Sequence, residues 1–367
     1  MTQNTDTKLM QNAETKLMQK TALADALDAL LRDYAVYAPV GEAERHAFSR
    51  LEAGGAGAVN LEGTPVVPPK ELLFPRSETL FGIDTDTGDV SAPGQAGQTG
   101  QAGQSGQAGQ AEEEGRVALF GSRPCDARSI VNLDHAFLDK GYVDSAYAKR
   151  REGLTVISLA CARIPSPACF CGAMGGGPAD SEGSDALLTE TKNGKAWLVS
   201  FLTEKGKAIE AVWQEAGVLS SPGRTAAAEA PACPLDPGKP ENLAEKLKAA
   251  FEDSEWARFS EACLGCGTCS YICPTCYCFD IDSEMRGKTA EEFRCWDSCM
   301  FSDYSRIAGG YNPRPTKKER LRNRYMHKLA WFDESHGRTL CVGCGRCIIK
   351  CPAGLDIASV IEWGGSL

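Results

Sequence analysis

The chain has 367 residues, enough for two domains each with its own core. Its 49 acidic against 39 basic residues leave a net charge of −10, which argues against a nucleic-acid surface. No secretory leader opens the chain and no apolar run is long enough to cross a bilayer, so a cytoplasmic protein is expected; there, 17 cysteines signal metal binding or redox chemistry rather than disulfide staples.

In chain order, residues 4–19 carry a polar duplication, NTDTKLMQ then NAETKLMQ, and residues 1–20 are expected to be a flexible extension. Leu23, Leu27, Leu30 and Leu31 recur at helical spacing, predicting a helix over 21–33, with a short strand at 34–40. The stretch PPKELLFPRSETLF (68–81) is bounded by prolines. Lys70, Arg76 and Glu78 within it are expected to be surface charges on a loop, although they could line a site. Residues 88–115 are Gly-Gln triplets ending in glutamates, too poor in apolar groups to fold, and a disordered surface insert is expected. Strands at 117–120 and 155–160 (TVISLA) bracket a helix at 127–138, which suggests an α/β unit. An edge strand is expected at 195–202 and a helix at 203–217. Residues 218–240, rich in proline and alanine, are taken as an interdomain linker, and 241–262 as one long amphipathic helix.

That helix delivers the chain to CLGCGTCSYICP (263–274), which recurs as CVGCGRCIIKCP (341–352). Each copy reads Cys-x2-Cys-x2-Cys-x3-Cys-Pro, the bacterial-ferredoxin spacing for a [4Fe–4S] cluster. Three evenly spaced thiolates let a tight loop grip three corners of a cube, while the fourth serves the other cluster. Cys263, Cys266, Cys269 and Cys351 are therefore assigned to one cluster, and Cys341, Cys344, Cys347 and Cys273 to a second. The glycines at 265, 267, 343 and 345 suit close backbone approach to the inorganic core. A pair of four-cysteine zinc sites is the competing reading, but zinc favours paired Cys-x2-Cys knuckles over a run of four ending in Cys-Pro.

Cys125, Cys161, Cys169 and Cys171 remain in the N-terminal half once Cys233 is set aside in the linker. Two follow buried strands, where α/β sheets build sites, and four thiolates suffice for a third cube. Their spacing is not a ferredoxin run, so buried free cysteines or a zinc site are the alternatives. Cys276, Cys278, Cys295 and Cys299 lie between the two motifs and are expected to surround the clusters, tuning them with Tyr277, Phe279 and Trp296; another cluster or a redox-active thiol pair are the other possibilities. His327 is expected to be packed or hydrogen-bonded rather than a ligand. The basic run RPTKKERLRNR (314–324) reads first as a solvated helix face, and otherwise as a contact for an acidic partner or for a reduced cluster.

The stretches PPKELLFPRSETLF, RPCD, CFC before MGGGP, CPTCYCFD, WDSC, GGYNPRPTKKER, HK at 327–328 and CVGCGRCIIKCPAGLDI are together similar to one family. They resemble the iron–sulfur subunit of anaerobic sulfite reductase and the related beta subunit of soluble sulfhydrogenases, across residues 21–362. Iron–sulfur subunits of flavin oxidoreductase–heterodisulfide reductase assemblies look similar too. The resemblance implies an electron-transfer subunit beside a flavin- and NAD(P)-binding reductase subunit and a separate catalytic subunit. It also favours the third, N-terminal cluster. The Gly/Gln insert, the duplicated N-terminus and Cys233 depart from the pattern, and no redox role is expected of them.

The expectation is an α+β protein: an N-terminal α/β domain (21–217), then a mainly helical dicluster ferredoxin-like domain (241–367). No strand–GxGxxG–helix fingerprint is present, since GGG at 175–177 lacks that context, so flavin and substrate chemistry are expected on partners. Sulfite, protons, polysulfide or a heterodisulfide all fit as terminal acceptor. A metal-stabilised scaffold without redox turnover is the alternative function.

Overall fold

The computed structural model describes residues 15–42, 45–91, 115–139, 141–238 and 240–367. Most of the Gly/Gln insert and the first copy of the N-terminal duplication lie outside them. The architecture is α+β, with two sheets.

The larger sheet is built from β1 (Thr15–Gln19), β2 (Ala35–Val40), β3 (Ala47–Arg50), β6 (Val117–Ser122), β7 (Leu154–Leu159), β8 (Ala186–Glu190), β9 (Ala196–Phe201) and β10 (Leu219–Ser220). Their order is β10-β1-β9-β8-β7-β6-β2-β3, with β2, β6, β7 and β8 parallel. Every residue of β6 and β7 is buried, as strands covered on both faces require. One face packs on α1 (Leu23–Leu30) and α4 (Glu204–Glu215), where Leu27, Leu30, Val199, Ile209 and Trp213 form a core. Trp213 Nε1 donates to Ala26 O at 3.0 Å, which lets the indole be buried without losing its hydrogen bond. The other face carries α2 (Pro124–Phe137) and α3 (Ser145–Gly153), packed through Ile130, Leu133, Phe137 and Tyr147.

The second sheet joins the two halves of the chain. Its order is β11 (Phe279–Arg286), β12 (Thr289–Trp296), β4 (Ser77–Asp84), β5 (Val90–Ser91). The remaining helices are α5 (Leu243–Ala249), α6 (Glu255–Ser260), α7 (Thr268–Tyr271), α8 (Lys317–Met326), α9 (Phe332–His336), α10 (Arg346–Ile349) and α11 (Ile357–Ser366). A π-helical turn, His327–Trp331, links α8 to α9. A third core lies here, centred on Leu247, Trp256, Leu321, Met326, Leu329 and Ile361. It also takes in Phe170 and Met174 from the N-terminal half. Among the described residues no helix is long and apolar enough to cross a membrane.

Several expectations need correction. Residues 15–19, expected in the flexible extension, form β1 between β9 and β10, with Met18 fully buried. For the same reason 196–201 is interior rather than an edge: β1 covers its free side. The long helix expected over 241–262 is broken into α5 and α6. Trp256 turns back to donate to Ala250 O at 2.9 Å, so that both it and Leu247 are buried. The loop expected at 68–81 ends in β4. The C-terminal part is not simply helical, because the β11–β12 hairpin adds strands to β4.

Charge holds that second sheet to α3. Glu78 on β4 accepts from Arg150 Nη2 at 2.7 Å and pairs with Arg294 of β12, whose other arm reaches Asp144. The Arg150 and Arg294 side chains are only 2% and 4% exposed. Removing one member of a buried network strands its partners' charge, which costs about 3–5 kcal/mol. Glu78→Ala is therefore expected to lower unfolding stability by that amount in a denaturant titration, with Glu78→Gln losing less. An unchanged midpoint for Glu78→Ala would show that the network does not join the sheets.

Candidate metal centre

Each cysteine motif folds into the same local shape. Gly265 and Gly267 in the first, and Gly343 and Gly345 in the second, all adopt positive φ, between +65° and +75°. Each loop then enters a one-turn helix, α7 or α10, and these two helices pack together. The glycines of the second loop have a further reason to lack a side chain. A Cβ on Gly343 would stand 2.6 Å from the backbone of Phe170 and Cys171, and one on Gly345 2.4 Å from Ala168 O. Phe170 N also donates to Gly343 O at 2.8 Å. The second motif is thus moulded directly onto the Cys169-Phe170-Cys171 loop of the N-terminal half.

Two small cavities of about 20 Å³ follow. One is lined by Cys263, Cys266, Cys269 and, from the other motif, Cys351, with Met300 and Leu355 closing it. The other, the inner cavity as against that outer one, is lined by Cys341, Cys344, Cys347 and Cys273, with Phe170, Thr275 and Ile357. Backbone amides already aim at two of the sulfurs: Gly265 N to Cys263 Sγ at 3.4 Å, and Leu355 N to Cys351 Sγ at 3.2 Å. Among the described residues no three thiols, imidazoles or carboxylates converge tightly enough to hold a single metal ion. The donors instead surround a space. The larger cleft of the molecule, about 660 Å³, lies elsewhere, at the C-terminal end of β7 beside Arg123 and Arg163, and no motif cysteine lines it.

The electrostatics ask for negative charge in the inner cavity. Lys70, Arg324 and Lys328 are each 2% exposed, and among the described residues none has a carboxylate partner. Lys328 Nζ donates to Thr275 Oγ1 at 2.9 Å. Lys70 Nζ donates to Cys276 O at 2.9 Å and lies 4.0 Å over the Trp296 ring. Arg324 Nη2 donates to Cys269 O at 2.9 Å, while its buried Nε has no partner at all. Burial lowers the pKa of Lys70 to about 8. Burial acts the same way on Lys328, but the facing Cys273 and Cys276 thiolates outweigh it and the net shift is upward. Burying an unpaired cation costs several kcal/mol, so three of them around a cysteine cavity fit a bound anionic group. An all-thiolate donor set and close glycine approach fit an iron–sulfur cube.

The basic run expected on a solvated face is half internal: Arg320, Arg322 and Arg324 are buried, while Arg314, Lys317 and Lys318 are not. Lys70, expected at the surface, is buried too. Of the four intervening cysteines, Cys276 is hydrogen-bonded to Cys273, and Cys278 to Cys299. The Cys299 thiol and Tyr304 hydroxyl donate to Cys278 and hold its pKa at about 6. Cys295 stands apart on β12, opposite Asp280. The His327 ring meets the Tyr277 hydroxyl at 3.0 Å. In the N-terminal half Cys125 lies at the start of α2, where Asp126 pairs with Arg346 at 2.8 Å. Cys161, Cys169 and Cys171 lie beyond the end of β7, and Cys233 reaches the same place, 3.4 Å from Cys171 Sγ. Reasoning from sequence gives no role to Cys233 or Tyr304, ranks Lys70 and Arg324 first as surface charges, and does not single out Lys328, because no local spacing marks them.

The site defines the class of protein, and comparison agrees: residues 262–355 match the 4Fe-4S dicluster domain model. The chain is also 31% identical over 337 residues to sulfhydrogenase 2 subunit beta of Pyrococcus furiosus, covering 89% of this chain and 91% of that one. It belongs to the sulfhydrogenase beta-subunit family and is an iron–sulfur electron-transfer subunit.

Gly345→Ala is expected to destabilise the protein by more than about 1 kcal/mol, since both its φ and its contact forbid a side chain. Gly354→Ala is the comparison, having a similar φ of +66° but open space around it. Equal thermal shifts for the two variants would rule out close packing of the motif on the N-terminal loop.

Proposed function

We propose that this subunit relays electrons singly between a flavin- and NAD(P)-binding reductase subunit and a separate catalytic subunit, in an assembly of the sulfhydrogenase, anaerobic sulfite reductase or heterodisulfide reductase type. One [4Fe–4S] cluster would be held by Cys263, Cys266, Cys269 and Cys351, the other by Cys341, Cys344, Cys347 and Cys273. The observation that carries this reading is the exchange of fourth cysteines: each cavity is lined by three thiols of one motif and the last thiol of the other. When bound, such clusters supply one-electron redox chemistry at potentials set by burial, local charge and hydrogen bonds to sulfur.

The chain's own residues account for the rest. Lys328, Arg324 and Lys70 offset negative charge that grows by one with every electron accepted. Phe170 and Ile357 exclude water from the inner cavity, and Met300 and Leu355 do so for the outer one. Cys266 is exposed and Leu264 beside it is 68% exposed, so the outer cavity offers the edge that a partner can approach.

Crossed ligation has a distinctive signature. The EPR signal lost in Cys263→Ser should also be lost in Cys351→Ser and survive in Cys341→Ser; if Cys351→Ser and Cys341→Ser delete one common signal, each motif holds its own cluster. Lys328→Met should lower the midpoint potential of the inner cluster by on the order of 60 mV, equivalent to a tenfold change in a one-electron equilibrium. An unmoved potential in a redox titration would mean that the lysine compensates something else.

A further inference from the structure

Beyond the two motif cavities, four thiols meet at the C-terminal end of β7. The loop that follows this strand is closed at its base, where Cys161 N donates to Pro178 O at 2.7 Å. Within it, Cys169 and Cys171 come from one turn. The segment after β10 then crosses back over this turn. Leu235 N donates to Cys169 O at 3.3 Å, and Cys233 Sγ lies 3.4 Å from Cys171 Sγ and against Gly172. Every pair among Cys161, Cys169, Cys171 and Cys233 is close enough for the charge of one thiolate to act on the other. Cys125 shares only the neighbourhood of Cys161; its other close charges are Asp126, Cys344 and Arg346.

Cations surround this group as they surround the inner cavity. Arg128 is buried, packs its guanidinium on Gly175 and Gly176, and leaves Nη1 without a hydrogen bond. Arg123, also buried, reaches Cys161 from the other side. The carboxylates of Asp180 and Glu182 stand 3.8 Å and 3.3 Å from Arg128, and Glu182 is shared with Arg338. The two carboxylates balance Arg128 and Arg338 in charge, but Arg128 Nη1 keeps no hydrogen bond of its own.

We infer that Cys161, Cys169, Cys171 and Cys233 are the four ligands of a third [4Fe–4S] cluster, with Cys233 rather than Cys125 completing the set. This inference rests on the electron-transfer reading and extends it. The site lies against the second motif: Cys169 Sγ is 4.0 Å from Cys344 O, and the Gly343 and Gly345 backbone touches the same turn. A third redox centre here would adjoin the inner one with no intervening domain. Cys125 is left as a half-buried thiol between the two centres.

The experiment is iron and acid-labile sulfide per chain on the anaerobically purified full-length protein, with EPR of the reduced form. The wild type should hold about twelve irons, four for each cube. Cys233→Ser should hold about eight and keep both motif signals, and Cys171→Ser should lose the same signal as Cys233→Ser. Cys125→Ser should keep about twelve. Loss of four irons in Cys125→Ser but not in Cys233→Ser would overturn the assignment. So would about eight irons in the wild type, with Cys171 and Cys233 recovered as a disulfide by mass spectrometry; that outcome would leave the two motif clusters intact. If Cys233→Ser also loses the motif signals, Cys233→Ala with a matching circular dichroism spectrum decides: a retained third signal refutes the role of Cys233, and its selective loss supports it.

Discussion

Lys328, Arg324 and Lys70 are buried beside thiols rather than carboxylates, and much of the C-terminal half follows from keeping them there. A buried lysine without a carboxylate either gives up its proton more readily, as Lys70 does, or faces another negative group, as Lys328 faces thiolates. In the proposed reading, two four-thiolate cavities supply that charge once loaded. On that reading the dependence is mutual: the cations ease reduction at the inner cavity, and the charge of that cavity lets the cations stay buried. The π-helical turn that begins at His327 sets Lys328 toward Thr275 at the inner cavity, while α8 brings Arg324 to Cys269.

The same constraint explains why the two halves of the chain are interlocked. Lys70 comes from the N-terminal half but donates to the carbonyls of Ser270 and Cys276 in the first motif. Arg346 in the second motif runs the other way, to Asp126 and Pro65 O. The β11–β12 hairpin adds to β4, and Trp296 at its end donates to Phe74 O at 3.0 Å while stacking on the Phe74 ring. The second motif's cavity takes Phe170 of the N-terminal half into its wall, whereas the first motif's is lined by residues between 263 and 355.

Much of this is legible in the residues. The duplicated Cys-Pro motif announces its own loop geometry, because spacing along a few residues fixes which thiols can share a centre. The parallel strands β6 and β7 declare themselves as short, mainly apolar runs. What cannot be read is contact across long separations. Lys70 sits 206 residues from the carbonyl it binds, and a lone lysine between prolines looks like any surface charge. The run ending at Arg324 looks solvated because its composition is that of an exposed helix; only the fold shows which of its guanidinium groups point inward. Residues 15–19 look like a frayed tail because a strand inside a sheet is recognised by its partners, and β9 and β10 lie far along the chain. Cys233 escapes notice for a similar reason: nothing in a proline-rich connection reveals that it folds back onto Cys171.

Whether these thiols hold redox-active iron or a structural metal decides the function of the whole subunit. The most direct measurement is a potentiometric titration followed by EPR, on wild-type protein purified without oxygen and assayed for iron, zinc and acid-labile sulfide. An electron-transfer subunit should show iron and sulfide in equal amounts, with signals that rise and fall reversibly in one-electron steps. Zinc without sulfide, and no response to reductant, would instead make the protein a metal-stabilised scaffold.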